Sequence, residues 1–544
     1  MIRFFCLVFS AGLIICSPNL YAQWSTDPTN NLIVGYGLLP ELASDGAGGC
    51  YITYEQNTTY PRHLILERLN RYGYKPWGSG KQILGLFPEQ SFAKITEDGR
   101  NGVIVSYMDV EVTGTPNSPV VKSRLRVQRV DSIGSFLWGL DGVRVTLSET
   151  DQANQAIVTD AKGGCVVAWM EGSSVFAQRI DSLGARAWGD SGTIVANDGS
   201  GSQLMVTDLV GGMILTWKYQ QFQRIGRFGQ KVWSDTGITI RGGAAELRIG
   251  TDNAARILGT NYLGVRNGQL LFTVRLQTID TSGTILWDSA GVIIDTANTN
   301  NFPPMSFAIQ AGYSTIAWPQ YIGGVWDLRT QIVGNDGSAV FSYGGRAISR
   351  VLSNKGIVGV VASDSATSLY VWFDQRGARG TYAQRLDTMG RQLWDTLDVL
   401  ISVPELSYEQ VVTDGEGGFI TVGTRENFTI RAQQVSVHGN LGEVLTAVGY
   451  YPVTDLPQGF LLYQNYPNPF NGWTNILYEI PVSSWVEIDV YNILGQRVNT
   501  LVNQFRTPGT YSIHFEGGDL PSGIYFYVLS AARTTLHRQL VITK

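Results

Sequence analysis

Histidines, cysteines and carboxylates are the residues that could do chemistry in this 544-residue chain, and few of them are spaced to do it. Hydrolysis asks for a histidine beside a nucleophile, or for a pair of carboxylates. There are 4 His. His514 and His537 lie near the C-terminus, and His63 and His438 fall in different copies of a repeat. His438 directly precedes a turn glycine, which suits a solvated turn. No His-x-x-x-His, Cys-x-x-Cys, Gly-x-Ser-x-Gly or Walker-type run occurs. Acids do recur at Asp45, Asp98, Asp160, Asp208, Asp252, Asp364 and Asp414, and again at Asp131, Asp181, Asp280 and Asp387. Carboxylates in series could bind calcium, but a calcium loop gathers several oxygens within about a dozen residues. Here each copy supplies one or two, so both series read as turn formers. No catalytic, cofactor-binding or metal-binding residue is assigned, and no cofactor is expected.

The elements behind these residues are copies of one stretch, Val158 to Val195. It reads as a turn at Asp160 to Gly164, strands Cys165 to Trp169 and Val175 to Ile180, a tight turn at Gly184, and a strand through Trp188 to Val195. The register mark is a Gln six residues before a Gly. It falls at Gln128, Gln178, Gln223, Gln277, Gln331, Gln384 and Gln433, while Glu67 holds the slot in a first copy. A residue repeated this way is expected to be a structural hydrogen-bonding group. The neighbouring Arg129, Arg179, Arg224 and Arg385 are expected to cap or pair at the sheet surface. Four residues after each turn Gly comes a ring: Trp77, Trp138, Trp188, Trp233, Trp287, Phe341 and Trp394, with Glu443 in the eighth copy. A second aromatic series runs Tyr54, Tyr107, Trp169, Trp217, Trp318 and Trp372.

Each copy holds about four short β-runs, in the second Ser91 to Ile95, Val103 to Tyr107, Arg124 to Val130 and Phe136 to Val145. Four short strands cannot bury both faces alone, so copies must stack, with the rings between them. Eight copies spaced about 45 to 61 residues apart fall in the range of propeller blades. Trp24 has no turn Gly before it, and the turn at Gly439 has no ring after it. Residues 24–34 are therefore expected to complete the eighth sheet and remove an open edge. The pattern Asp-Gly-x-Gly-Gly-apolar-apolar-x-Trp, seen best in Asp160 to Trp188 and Tyr382 to Trp394, resembles propeller-like repeats of secreted bacterial proteins. The resemblance implies an all-β, eight-bladed propeller-like domain over 23–445, and implies nothing about ligand. Any site is expected where copies differ, on loops at Asp109 to Val121, Gly259 to Gly268 and Ile322 to Asp327, the last with Trp326.

Residues 1–22 read as a signal peptide: Arg3, an apolar run from Phe4 to Cys16, and a small residue at Ala22. Cys6 and Cys16 leave with it, and Cys50 and Cys165 occupy equivalent slots that face separate cores, so buried thiols are expected rather than a bridge. The formal net charge of -5, without a basic run, excludes a nucleic-acid partner.

Residues 446–460 read as a linker and 461–544 as a small β-sandwich, with strand-like runs broken at Gly495, Pro508-Gly509 and Pro521-Ser522-Gly523. Tyr466-Pro467-Asn468-Pro469-Phe470-Asn471, Val490-Tyr491-Asn492 with Leu494-Gly495, Gly509-Thr510-Tyr511, Gly523-Ile524-Tyr525 and the terminal Lys544 closely resemble the type A C-terminal sorting domain of the type IX secretion system. An ordinary Ig-like module is the competing reading. The resemblance implies export partners: inner-membrane machinery for the signal, then the outer-membrane translocon and sortase. The Tyr-Pro-Asn-Pro-Phe segment is expected to be exposed and read like a peptide. The function expected is a secreted or cell-surface binding or scaffold protein, with a possible glycan or protein ligand. The alternative is an extracellular polysaccharide-acting enzyme whose carboxylate pair meets on the propeller face.

Overall fold

The computed structural model describes residues 24–544 apart from 57–60, 116–117, 200–203, 267–268, 300–304, 364–365, 395–396, 443–458, 466–467 and 507–508, and positions 79, 311, 378, 519, 533 and 544. Before residue 24 it describes only Cys6–Leu7 paired with Ile15–Cys16. Signal segment 1–22 and linker 446–460 thus lie largely outside the described residues. The chain divides into two compact units, Ala22–Glu443 and Val444–Lys544 with Met1–Tyr21. Every regular element among the described residues is a β-strand.

Among the described residues, the first unit contains eight four-stranded antiparallel sheets, numbered from the one that begins at Leu38–Ser44. Sheet three shows why the repeat folds as it does. Its strands are Ala153–Thr159, Cys165–Glu171, Ser174–Ile180 and Thr193–Ala196, paired in that order. Cys165 to Met170 is apolar at every position and buried throughout, as a strand covered on both faces must be. The fourth strand is shorter than expected. After the turn at Gly184 (φ 85°), Arg186 makes one bridge to Ile180, and the ladder resumes only at Thr193. Trp188 is not in a strand: Gly189 and Gly192 at positive φ bend the backbone away from the ladder.

Sheets one to seven each use four consecutive strands. In the eighth, the outer strand is Leu32–Tyr36, followed by Thr429–Val435, Phe419–Thr424 and Ser407–Thr413. Leu32 pairs with Ala432 and Tyr36 with Thr429, so the start of the chain finishes its last sheet. The first strands of successive sheets touch in chain order, and that of sheet eight touches Leu38–Ser44 of sheet one. The apolar cores lie between neighbouring sheets. Val166, Ala168 and Trp188 pack against Met213, Leu215 and Trp217, and Trp24, Leu32 and Val34 pack with Ile52, Tyr54 and Ile420.

The three stretches expected to be loops are instead longer hairpins: Val103–Thr115 with Ser118–Val130, Ala255–Arg266 with Gln269–Ile279, and Tyr313–Ile322 with Val325–Gly334. β-Branched residues such as Val110, Val112, Val120 and Val121 keep the ladder running past the neighbouring sheets.

In the second unit, Leu461–Leu462, Trp473–Ile480 and Gly509–Glu516 form one sheet. Arg497–Arg506, Ser484–Asn492, Gly523–Ala531 and Thr534–Ile542 form the other. Their core joins Ile476 and Tyr478 to Val486, Ile488, Val490, Tyr527 and Leu529.

Candidate functional site

The recurring acids close turns. Asp160 Oδ1 accepts from the amides of Lys162 and Gly164, both at 2.8 Å, and Oδ2 pairs with Arg179 at 2.7 Å. Asp45, Asp98 and Asp208 repeat this, with Arg68, Arg129 and Arg224 as partners. Asp414 takes Glu416 and Gly418 amides with Gln434, and Asp252 takes Ala254 with Arg256. Asp364 lies outside the described residues. The second series works alike: Asp131, Asp181, Asp280 and Asp387 each accept from amides two and four residues on. The arginines pair as expected at Arg129, Arg179 and Arg224, the last two part-buried. Arg129 is buried with its acid, and Arg385 reaches Thr367 and the Val437 carbonyl of the next sheet.

The Gln of the register holds the ring of its own copy. Gln178 Oε1 accepts from the amides of Arg179 (3.1 Å) and Trp188 (2.9 Å), and its Nε2 donates to the Gly189 carbonyl (2.6 Å). Gln128 and Gln223 make the same three bonds, and Gln331 makes them with its Nε2 shared between the Phe341 and Ser342 carbonyls. Gln277 makes two of them, and Gln384 turns its amide to Asp398. Gln433 acts between the chain ends, donating to the Ser25 carbonyl at 2.7 Å and accepting from Asn31 at 3.0 Å. Glu67 instead pairs with Lys75, while burial raises its carboxyl above the usual range.

Each ring then grips the following sheet. The indole N–H of Trp77, Trp138, Trp188, Trp233 and Trp394 donates to the carbonyl of Ser132, Ser182, Arg227, Thr281 and Val437, each two residues before a turn glycine. Trp24 does the same to Arg71 at 2.7 Å, two before Gly73, and completes the series. Trp287 lies against Gly337. The glycine is needed for space as well as for its positive φ. A Cβ on Gly229 would lie 2.8 Å from Trp188 Cγ.

Few titratable groups escape these structural uses. Among the described residues no group of three or more His, Cys, Asp or Glu is placed to hold a metal ion. His438 is exposed on its turn, and His63 Nδ1 sits 3.3 Å from Gln82. Cys50 and Cys165 are separate buried thiols, raised by burial. Glu409 stands out. It is half-buried on the first strand of sheet eight, with Thr381 and Thr421 hydroxyls donating to its two oxygens at 2.7 Å each. Burial pushes its carboxyl up to about 7. Nothing in the sequence marked it, because Thr381 comes from the neighbouring sheet.

In the second unit, Asn468 and Phe470 fasten the last strand. Asn468 Oδ1 accepts from Val541 N (2.7 Å) and its amide donates to the Gln539 carbonyl (3.0 Å). Phe470 is buried in the core, and its backbone bonds to Val541 and Thr543. The segment expected to be exposed is thus buried at Phe470, where the chain's final strand returns beside it, while Asn468 is part-buried and Pro469 exposed. Asn471 is exposed in the bend that follows Pro469 and Phe470. Gly495 (φ 76°) closes a turn whose amides Asn492 caps. Gly509 pairs with Ile480, Gly523 with Ile542, and buried Tyr525 donates to the Pro521 carbonyl. Tyr466, Pro467 and Lys544 lie outside the described residues.

These features define an all-β chain of repeated four-stranded sheets, followed by a module that locks its own C-terminal strand. Residues 464–543 match the family described as secretion system C-terminal sorting domain, and the protein is secreted through the type IX system to the cell surface or extracellular space. No curated protein matches the chain. Solved structures similar to it include Sqt1 from Chaetomium thermophilum, with 11% identity and a TM-score of 0.40 over 74% of this chain and 99% of that one. A protein of unknown function from Dyadobacter fermentans has 9% identity and a TM-score of 0.30 over 65% and 95%. One from Bacteroides thetaiotaomicron has 12% identity and a TM-score of 0.26 over 61% and 94%.

Proposed function

We propose that this is a non-enzymatic binding or scaffold protein of the cell exterior: an eight-bladed β-propeller fastened by residues 24–34 and delivered by an Ig-like sorting sandwich. Its partners are the inner-membrane export machinery, through 1–22, and the type IX translocon and sortase, through 461–544. A surface glycan or protein is its ligand, and it uses no cofactor. One observation carries this reading. The acids, Gln and Trp that recur are consumed in turns and sheet-to-sheet bonds, which leaves the rims to differ between blades.

Glu409 favours a second reading, a polysaccharide-acting enzyme, since a carboxyl held near 7 suits a general acid. Such an enzyme needs a second carboxylate about 5 to 9.5 Å away. The acid acting on Glu409, Glu405, is already paired with Arg379. The purified full chain should be retained on cell-envelope preparations and release no reducing sugar from polysaccharides. Release that Glu409→Gln abolishes would overturn the binding reading in favour of the enzyme.

A further inference from the structure

Several large apolar residues occupy backbone positions that the fold does not need them to fill. Near the start of the first strand of sheets eight, one, two and three, the ladder slips between Ser407/Gln410, Leu38/Glu41, Ser91/Lys94 and Ala153/Ala156. One residue in each slip is left-handed: Tyr408 (φ 52°), Leu39 (52°), Phe92 (53°) and Asn154 (52°). Asn tolerates that region, whereas a Tyr, Leu or Phe there is strained. Phe428 (φ 58°) adds another in the adjoining hairpin of sheet eight, where Gly37 N donates to its carbonyl at 2.7 Å beside Tyr36. These side chains gain little from the core: Tyr408 is 64% exposed, Tyr36 62%, Phe92 54%, Phe428 49% and Leu39 38%.

They form one arc. Phe92 N donates at 2.8 Å to Glu55, which pairs with Leu38, and Leu42 N donates at 3.0 Å to Gln410. The charges along the arc are neutralised within it. Arg62, 5.5 Å over the Phe92 ring, pairs with Glu55 and Glu89, and Lys94 pairs with Glu41. The Tyr36 and Tyr408 hydroxyls bond to no described residue.

The geometry points to this arc as a binding track for a neutral carbohydrate chain. Open rings accept the apolar C–H face of a pyranose, and free phenol hydroxyls meet its rim. An anionic chain would need unpaired cations, and among the described residues of the arc Arg62 and Lys94 are both paired. The arc is a single row of side chains, whereas a stable protein interface covers roughly 800 Å² per partner. The inference rests on the binding reading above and names its ligand class and place.

The test is an array of immobilised neutral hexose oligosaccharides, with uronate-bearing and sulfated chains alongside. The full chain is compared with the variant Leu39→Asn/Phe92→Asn/Tyr408→Asn. The variant should melt no lower than the parent, since Asn relieves the left-handed strain, while retention on neutral chains falls about tenfold or more. Tyr408→Asn alone serves if the triple variant does not fold. Equal retention of the variant overturns the site, and retention only on anionic chains overturns the ligand class. No retention on the array, with cell envelopes still binding the protein, overturns this inference alone and indicates a protein partner. Loss of envelope binding as well overturns the binding reading.

Discussion

Replacing Trp24 tests whether the first residues fasten the repeat unit. Its indole is 5% exposed, packs between sheets eight and one, and donates to the Arg71 carbonyl at 2.7 Å. Trp24→Ala removes a buried ring, which costs about 3–5 kcal/mol in a core that cannot collapse. Trp24→Phe keeps most of the ring and loses the hydrogen bond, for about 0.5–1.5 kcal/mol. Phe341 holds the same slot naturally, so the smaller loss should be tolerated. Trp188→Ala is the internal control, since Trp188 makes the equivalent bond to Arg227 at 3.0 Å. Urea unfolding followed by circular dichroism should rank the two alanine variants together and well below Trp24→Phe. Hydrogen exchange should rise at the amides of Leu32 to Tyr36 in Trp24→Ala and stay low in Trp188→Ala. A Trp24→Ala protein within about 0.5 kcal/mol of the parent, with those amides still protected, would refute the reasoning.

Gly229→Ala should destabilise by about 2 kcal/mol or more, because its Cβ would meet both Trp188 and Thr193 at 2.8 Å. Gly139→Ala has open space at φ 78° and should lose only the ~1 kcal/mol of left-handed strain; paired melting curves compare them. Glu409 predicts a pH dependence. Its folded carboxyl sits near 7 against an ordinary 4.5, so the neutral form favours folding. That contribution is full below about pH 4.5 and is lost as pH rises to about 7, by at most about 3 kcal/mol; Glu409→Gln should flatten this part of a denaturation profile. Asn468→Ala frees the last strand on one side and should lower secretion of the full chain while it accumulates in the periplasm. Fractionation with antibody detection reads this directly, and undiminished secretion would deny Asn468 that role.

Repetition made the sheet framework legible. A Gln, a Gly and a ring at fixed spacing describe one hydrogen-bonded lock seen many times, so weak copies could be read from strong ones. Trp24 was legible for the same reason, as a ring without a turn matching the turn at Gly439 without a ring. The length of the fourth strands was not legible. Trp188 looks like strand sequence, yet its amide is held by the Gln178 side chain rather than by a ladder. The burial of Phe470 was hidden because its partners, Val541 and Thr543, lie far along the chain. The left-handed Leu39, Phe92 and Tyr408 carried no signal either, since only Gly or Asn normally advertises that conformation. Glu409 owes its raised carboxyl to burial, against which the Thr381 and Thr421 hydroxyls pull it down, and no local pattern connects either threonine to it.

Sheet eight also dictates an order of assembly. Leu32 pairs with Ala432, so that ladder bridges about 400 residues, and joining such distant points costs about 3 kcal/mol more entropy than turning a ten-residue hairpin. Sheets one to seven are local and can form as the chain appears, whereas Leu32–Tyr36 must wait, unpaired, for Thr429–Val435. The suture between beginning and end is therefore the last to be sewn.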